Sequence, residues 1–373
     1  MRLARTDKSF LGNWWWTIDR WTLGALALLL SFGAIMSLAA TPAIANKINL
    51  ESLHFVRRHF FFLAVGVFLI VGTSLLNLRG VRRFSVFIMF IGLVLMVLVI
   101  FVGPETKGAT RWLSLWGVSI QPSEFIKPSF AVLAAWAFSE GVVCGKFPGN
   151  LVSTVLFLLI FVLLLLQPDI GMAFVIASIW ITEFFVAGMP LILVCCVGVI
   201  FIFGGVLAYL SFDHVQIRVD RFLDLAESGG YQVARALEAF KKGGLIGRGP
   251  GEGRVKELIP DAHSDFVFAV VGEEFGLIVC LAVLALFIFI LFRGVLRVFQ
   301  EDNLFVLLAV CGLLTQFTVQ ALINLASTVN LIPPKGMTLP FISYGGSSIL
   351  ALAIGMGLLL ALTRRRVSEE RQI

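Results

Sequence analysis

FSVFIMFIGLVLMVLVIFVG, residues 84–103, runs for twenty residues without one charged side chain. At about 1.5 Å per residue a helix of that length covers about 30 Å, the thickness of the hydrocarbon layer of a bilayer. Lipid offers the backbone no hydrogen-bond partner, so a segment of this kind must satisfy its peptide groups internally, as a helix. Similar stretches recur along the chain. Those at 22–41, 59–77, 84–103, 123–140, 150–166, 170–187, 190–211, 265–292, 303–327 and 346–363 predict ten transmembrane helices. The expected fold is therefore an all-α, polytopic membrane protein, with residues 1–373 forming one integral membrane domain.

Composition agrees. The 373 residues are 59% hydrophobic and 14% charged, where a soluble domain carries about 25% charge, and the mean hydropathy is +0.97. The segment 22–41 could be taken for a secretory leader, because Ala43-Ile44-Ala45 resembles a cleavage site. Its apolar core is too long, and about twenty residues including Trp14, Trp15 and Trp16 precede it, so it reads as an uncleaved first helix with interfacial tryptophans. Of five cysteines, four lie in apolar segments and Cys144 in a short loop. No CxxC occurs and the four histidines are scattered, which argues against a disulfide framework or a zinc site.

Ten helices put both termini on one side. That side carries fourteen basic residues, and so does the other, but eight of the latter lie in one long loop, 212–264. Orientation follows short loops and helix flanks, so both ends, 1–21 and 364–373, are expected in the cytoplasm. The notable outer loops are then 104–122, 212–264 and 328–345, the second of which is long for a structureless connection and by its length points to function.

Within 212–264, the run GGLIGRGPGEG (243–253) lacks the GK[ST] of a phosphate-binding P-loop and does not fit GxGxxG. It reads either as a flexible turn or as a backbone that can approach phosphates closely. Six basic residues between Arg235 and Lys256, Arg248 among them, form a local excess against two acids. A basic patch outside works against topology and calls for an anionic partner, either lipid headgroups or a pyrophosphate substrate. In PDAHSDFVF (260–268) a helix begins, and Asp265 falls in its expected first turn at the outer boundary. Asp265 either satisfies free N–H groups at the helix start or, partly desolvated beside Phe266 and Phe268, serves as a general base. Glu273 and Glu274 follow in the same helix, roughly 12–14 Å deeper. Intramembrane acids are normally paired, and Lys127, on one face with Glu124, is the candidate partner. Further outer-face candidates are Arg111, Lys335, and Trp112 and Trp116, which are either interface anchors or stacking platforms for a pyranose.

GATRW (108–112), QPSEFIK (121–127), QPDIG (167–171), PDAHSDFVFAVVGEEFG (260–276) and PPKGMTLPFISYGGSS (333–348) together resemble the SEDS family of shape, elongation, division and sporulation proteins, in order and over nearly the whole chain. The wording of the last two is closer to the division branch, FtsW, than to the elongation branch, RodA. The resemblance implies a peptidoglycan glycosyltransferase of the bacterial inner membrane. It would polymerise lipid II, the undecaprenyl-pyrophosphate-linked disaccharide peptide, at the septum with a class B penicillin-binding protein transpeptidase (FtsI-like) and other division proteins. It carries the catalytic aspartate onto Asp265 and the essential tryptophan onto Trp112, and marks Lys127, Lys335, Glu273 and Glu274 as functional positions. Some members have a basic residue shortly before QPSE, where this chain reads Val118-Ser119, which puts any phosphate contact there in doubt.

The expected reaction is an inverting transfer with Asp265 as base and Arg111, Lys127, Arg248 and Lys335 as candidate cations for the leaving pyrophosphate. No ligand cluster demands a metal, though a divalent ion, Mg or Mn, could assist. No nucleic-acid partner is expected. A lipid II flippase would explain Lys127 and Glu273 within the membrane but not the clustering of Arg111, Asp265 and Lys335 outside. A non-catalytic scaffold would need no acid at 265. An elongation-branch polymerase remains the alternative within the family.

Overall fold

The computed structural model describes residues 10–47, 51, 53–106, 109–115, 118–211, 216, 220, 228–333 and 335–364. Each predicted span is a helix. A short helix α1 (Phe10–Thr17) leads into α2 (Arg20–Lys47), α3 (His54–Ser74), α4 (Leu78–Val102), α5 (Pro122–Cys144), α6 (Gly149–Leu166), α7 (Ile170–Val186) and α8 (Leu191–Ser211). After the long loop come α9 (Ser228–Gly243), α10 (Val267–Val298), α11 (Leu304–Thr328) and α12 (Gly346–Leu362). Seven of these helices are long and apolar enough to cross a bilayer by length and composition, and α7 and α12 are shorter apolar helices.

The bundle is built around α12. From Ser347 to Leu362 only Ala351's neighbour Leu350 is even half-exposed, and α3, α5 and α11 pack around it. The outer helices α3, α4 and α6 turn bare Phe, Val and Leu side chains away from this centre, as lipid-facing surfaces must. Helix starts are punctuated where the sequence supplies a cap. Asn77 accepts from Gly80 N, Asp169 from Met172 N and Asn303 from Val306 N.

Two of the three expected outer loops have structure of their own. Residues 104–121 form two small antiparallel ribbons, β1 (Glu105–Thr106) with β2 (Ala109–Thr110) and β3 (Leu113–Leu115) with β4 (Val118–Ile120). The long loop, whose length was unusual for a structureless connection, contains α9 and a 3-10 turn at Val255–Leu258. The loop 329–345 dips into the bundle, burying Met337, Leu339, Phe341 and Ile342. The carbonyl of Phe341 lies so close to Gly33, midway along α2, that a Cβ there would collide with it. Irregular backbone at this depth is tolerated only because protein surrounds it.

The eighth predicted span, 265–292, departs furthest from expectation. Helix α10 breaks at Gly276, whose φ of 77° and ψ of −178° are non-helical. The stretch that continues as a regular apolar span is 277–298, and 267–275 is a separate arm on which α9 packs, with Phe240 edge-on to Phe268 at 5.8 Å.

Candidate active site

At the end of the bundle where 104–121, 260–266 and 329–345 meet, a cavity of about 540 Å³ opens beside the first turn of α3. That is within the range of small-ligand sites. Asp265, Trp112 and Glu124 line it, together with Arg58, Gln121, Asp261, Tyr344, Ser347 and Ser348. Three residues named from the sequence therefore share one cavity.

Asp265 stands two residues ahead of α10, in a turn rather than in the helix, with Phe266 as the capping residue. The expected first-turn position is thus corrected: the chain must finish the 260–265 turn before its dihedrals become helical. The Asp265 N–H donates to Asp261 O at 3.1 Å, and its own carbonyl accepts from Asn324 Nδ2 at 2.9 Å. The half-buried carboxylate points toward the second loop, where a Cβ on Gly336 would sit 3.7 Å from Oδ2. Phe266 and Phe268 are buried in the core behind it.

Behind the cavity runs a polar network. Lys127, fully buried, forms an ion pair with Glu124 Oε2 at 2.8 Å and donates a hydrogen bond to Gln320 Oε1 at 2.7 Å. Gln320 Nε2 in turn donates to Thr338 O at 3.2 Å and Ser348 Oγ at 3.0 Å. One turn along α11, Asn324 donates to Asp265 O and to Met337 O at 2.7 Å. Asn324 so joins the two loops that wall the cavity, and Gln320 ties the second of them to Lys127 and α12, functions no motif in the sequence marked out. Their spacing of four on an apolar helix was the available signal.

The expected pairing of Lys127 with Glu273 or Glu274 is corrected. Both glutamates lie on the arm, ahead of Gly276, and both are taken by the glycine-rich loop. Glu273 Oε1 accepts the N–H groups of Arg254 and Val255, each at 2.8 Å, and Oε2 that of Lys256 at 2.9 Å. Glu274 accepts from Gly251 N at 3.0 Å and pairs with the ammonium of Lys256, which also reaches Ala39 O at 2.8 Å. These carboxylates fasten the glycine-rich loop to the arm, and a nest of backbone N–H groups is a natural carboxylate seat.

The expected phosphate-binding cations are placed apart. Arg111 braces the ribbons against the α6–α7 turn, donating to Gln167 O at 3.2 Å and to Pro168 O and approaching Asp169 at 3.6 Å. Arg248 is exposed and donates to Lys242 O at 3.3 Å. Lys335 is exposed near the start of α7. None of the three lines the cavity, and Lys127 sits behind it. Among the described lining residues, the cation is Arg58, which the sequence reading passed over although Arg57-Arg58 is a basic pair on the side that short loops leave poor in charge. Arg58 acts on Tyr344, whose hydroxyl burial pushes above its ordinary value while the guanidinium draws it back. His263 packs on the same tyrosine at 5.5 Å, its imidazole held below its ordinary value by burial, with Asp261 opposing. Trp116 lies outside the described residues.

Comparison with known proteins places this geometry. Residues 20–368 match the model of the FtsW/RodA/SpoVE family, described as cell cycle protein. A Caulobacter vibrioides protein named "Probable peptidoglycan glycosyltransferase FtsW" is 43% identical over 97% of this chain and 93% of its own length. A Hydrogenovibrio crunogenus protein of the same name is 34% identical over 95% and 94%. Among solved structures, a chain of a peptidoglycan synthase complex that coordinates polymerization and crosslinking superposes with a TM-score of 0.80 at 24% identity, over 95% of this chain and 99% of that one. The rod shape determining protein RodA of Thermus thermophilus does so with 0.67 at 26%, over 93% and 96%.

Proposed function

Because the chain belongs to the FtsW/RodA/SpoVE family, whose curated relatives carry the name of peptidoglycan glycosyltransferase, we propose that the cavity at Asp265 is where glycan strands are polymerised. The chain is a multi-pass membrane protein and a peptidoglycan glycosyltransferase of the FtsW kind, active in cell division. The observation that carries the site assignment is the convergence of the half-buried Asp265 carboxylate, with those of Asp261 and Glu124, on a single cavity that Arg58 and the indole of Trp112 also line, at one end of the bundle.

In the proposed step the 4-hydroxyl of the GlcNAc of an incoming lipid II attacks C1 of the MurNAc that ends the growing strand. The new O–C1 bond forms as the bond from C1 to the pyrophosphate oxygen breaks, with inversion. The hydroxyl proton passes to the Asp265 carboxylate, and undecaprenyl pyrophosphate departs with the electron pair. Pyrophosphate is a good leaving group and needs no acid of its own, so one carboxylate suffices where glycoside hydrolysis uses two. Arg58 is placed to meet the developing phosphate charge, and the face of Trp112 suits the C–H face of a sugar. Glu124, held by Lys127, lines the opposite wall and is placed to accept from substrate hydroxyl or amide groups. No three His, Cys, Asp or Glu side chains gather as a metal site among the described residues. A divalent ion used in the step would be brought by the pyrophosphate.

Charge asymmetry supports cytoplasmic termini and hence an outer-face cavity, in the bacterial inner membrane at the septum, beside a class B penicillin-binding protein that crosslinks the product. The experiment is polymerisation of labelled lipid II by the purified protein with its transpeptidase. Wild type makes polymer, and Asp265→Asn, present at equal level, falls by about 10²–10⁴ in rate. A rate close to wild type in Asp265→Asn would remove Asp265 from the mechanism.

A further inference from the structure

Between α9 and the glycine-rich loop, the turn 244–248 carries two aliphatic side chains that stand largely exposed among the described residues: Leu245 is 65% exposed and Ile246 81%. The turn abuts the Gly276 break. Leu277 N donates to Gly244 O at 2.9 Å and Ile278 N to Leu245 O at 3.3 Å. Leu277, Ile278 and Leu281 are themselves exposed large hydrophobics at the start of the apolar span, so the turn extends a lipid-facing strip past the point where the helix stops. Around it stand the exposed cations Lys241, Lys242 and Arg248, with Arg248 held over the end of α9 by its bond to Lys242 O.

A scattered surface leucine needs no explanation, but a contiguous apolar patch rimmed by cations does. Aliphatic side chains flanked by Lys and Arg are the pattern of an element lying in the bilayer interface, with its apolar part at the acyl boundary and its cations among the phosphates. We propose that the turn 244–248 is a membrane anchor, in which Leu245 and Ile246 enter the outer edge of the hydrocarbon and Lys241, Lys242 and Arg248 bind the headgroups of anionic phospholipids. This accounts for the local basic excess in the long loop without a place in the cavity. The anchor is also coupled to the catalytic segment. Arg248 N donates to Glu273 O and Gly249 N to Glu274 O, each at 3.0 Å, so it fixes one end of the arm whose other end follows Asp265.

The test uses the full chain in nanodiscs, with its five cysteines replaced and an NBD fluorophore on Leu245→Cys or, separately, Ile246→Cys. Phospholipid carrying a doxyl quencher high on its acyl chain is expected to remove most of the emission at both positions, while aqueous iodide leaves it. Doxyl placed on phosphatidylglycerol is expected to quench more than the same fraction placed on phosphatidylcholine. Joint replacement of Lys241, Lys242 and Arg248 by Gln is expected to abolish that difference. Emission open to iodide and indifferent to doxyl lipid overturns the anchor. So does emission shielded only when the transpeptidase is added, which would make the turn a protein contact. Equal quenching by the two lipids in the wild-type background overturns the headgroup assignment.

Discussion

Asn324 donates from one side-chain amide to two main-chain carbonyls, that of Asp265 at 2.9 Å and that of Met337 at 2.7 Å. Those carbonyls belong to the two loops that face each other across the cavity. The distance between Asp265 and the Gly336 wall is therefore set from α11 rather than by the loops themselves. Asn324→Asp keeps the shape and loses the donors. Each stranded buried carbonyl costs about 1–3 kcal/mol, and a shift of the base of about 1 Å costs on the order of 10²-fold in rate. The expected outcome is a folded protein whose kcat for lipid II falls on that scale with KM little changed. Hydrogen exchange should quicken in 260–266 and 335–345 together. Unchanged kcat per folded molecule would leave Asn324 a packing residue only.

Arg58 is expected to act on the phosphate of the substrate. Arg58→Gln removes a charge-assisted hydrogen bond, worth about 1.5–3 kcal/mol, and should lower kcat/KM by roughly 10- to 100-fold at that magnitude. Arg58→Lys should recover only part, because an ammonium does not reproduce the planar guanidinium fork. If Lys335→Gln proved the more damaging change, the phosphates would lie over the start of α7 instead.

Lys127→Met leaves the Glu124 carboxylate buried without its counter-ion, a loss of about 3–5 kcal/mol for a dry site. The double change Lys127→Met with Glu124→Gln should restore the thermal midpoint most of the way. Pairing Lys127→Met with Glu273→Gln should not, because Glu273 is bound to the N–H groups of 254–256. Midpoints measured on the purified variants decide between the two.

Gly276→Ala places a Cβ against Gly247 N where φ is 77°. The left-handed backbone alone costs an L-residue about 1–2 kcal/mol, and the contact forces the anchor turn off the arm. Expected are a lower midpoint and loss of polymerisation with the apolar span intact, read by protease sensitivity confined to 244–266. A fully active Gly276→Ala protein would mean that the arm tolerates a change of direction.

Much of this was visible in the chain before its structure. Length and apolar composition set the helical membrane class, since a bilayer permits few alternatives, and Asp265 and Trp112 lay in motifs that the structure brings to one cavity. The break at Gly276 escaped notice because a lone glycine is tolerated in an apolar run, and periodicity is blind to one dihedral. The partner of Lys127 was misjudged because the glycine-rich loop folds onto the arm and takes both glutamates, a long-range contact that spacing does not register, and Glu124 one turn away is left as the counter-ion. Arg58 went unmarked because its role depends on α3 standing beside loops more than two hundred residues away. Helix α9 was hidden in a segment whose overall polarity resembles that of a loop, although its buried Val233, Ala236 and Ala239 recur at intervals of three.

Lys256 bonds to the carbonyl of Ala39, 217 residues earlier, while its partner Glu274 lies 18 residues later. That reach imposes a timetable on biogenesis. The first span leaves the ribosome early, yet its upper end stays unfinished until residue 274 has been made and the arm has docked. A chain halted before that point would hold its early helices in the bilayer with the glycine-rich loop unfastened, so the first span made is among the last to be completed.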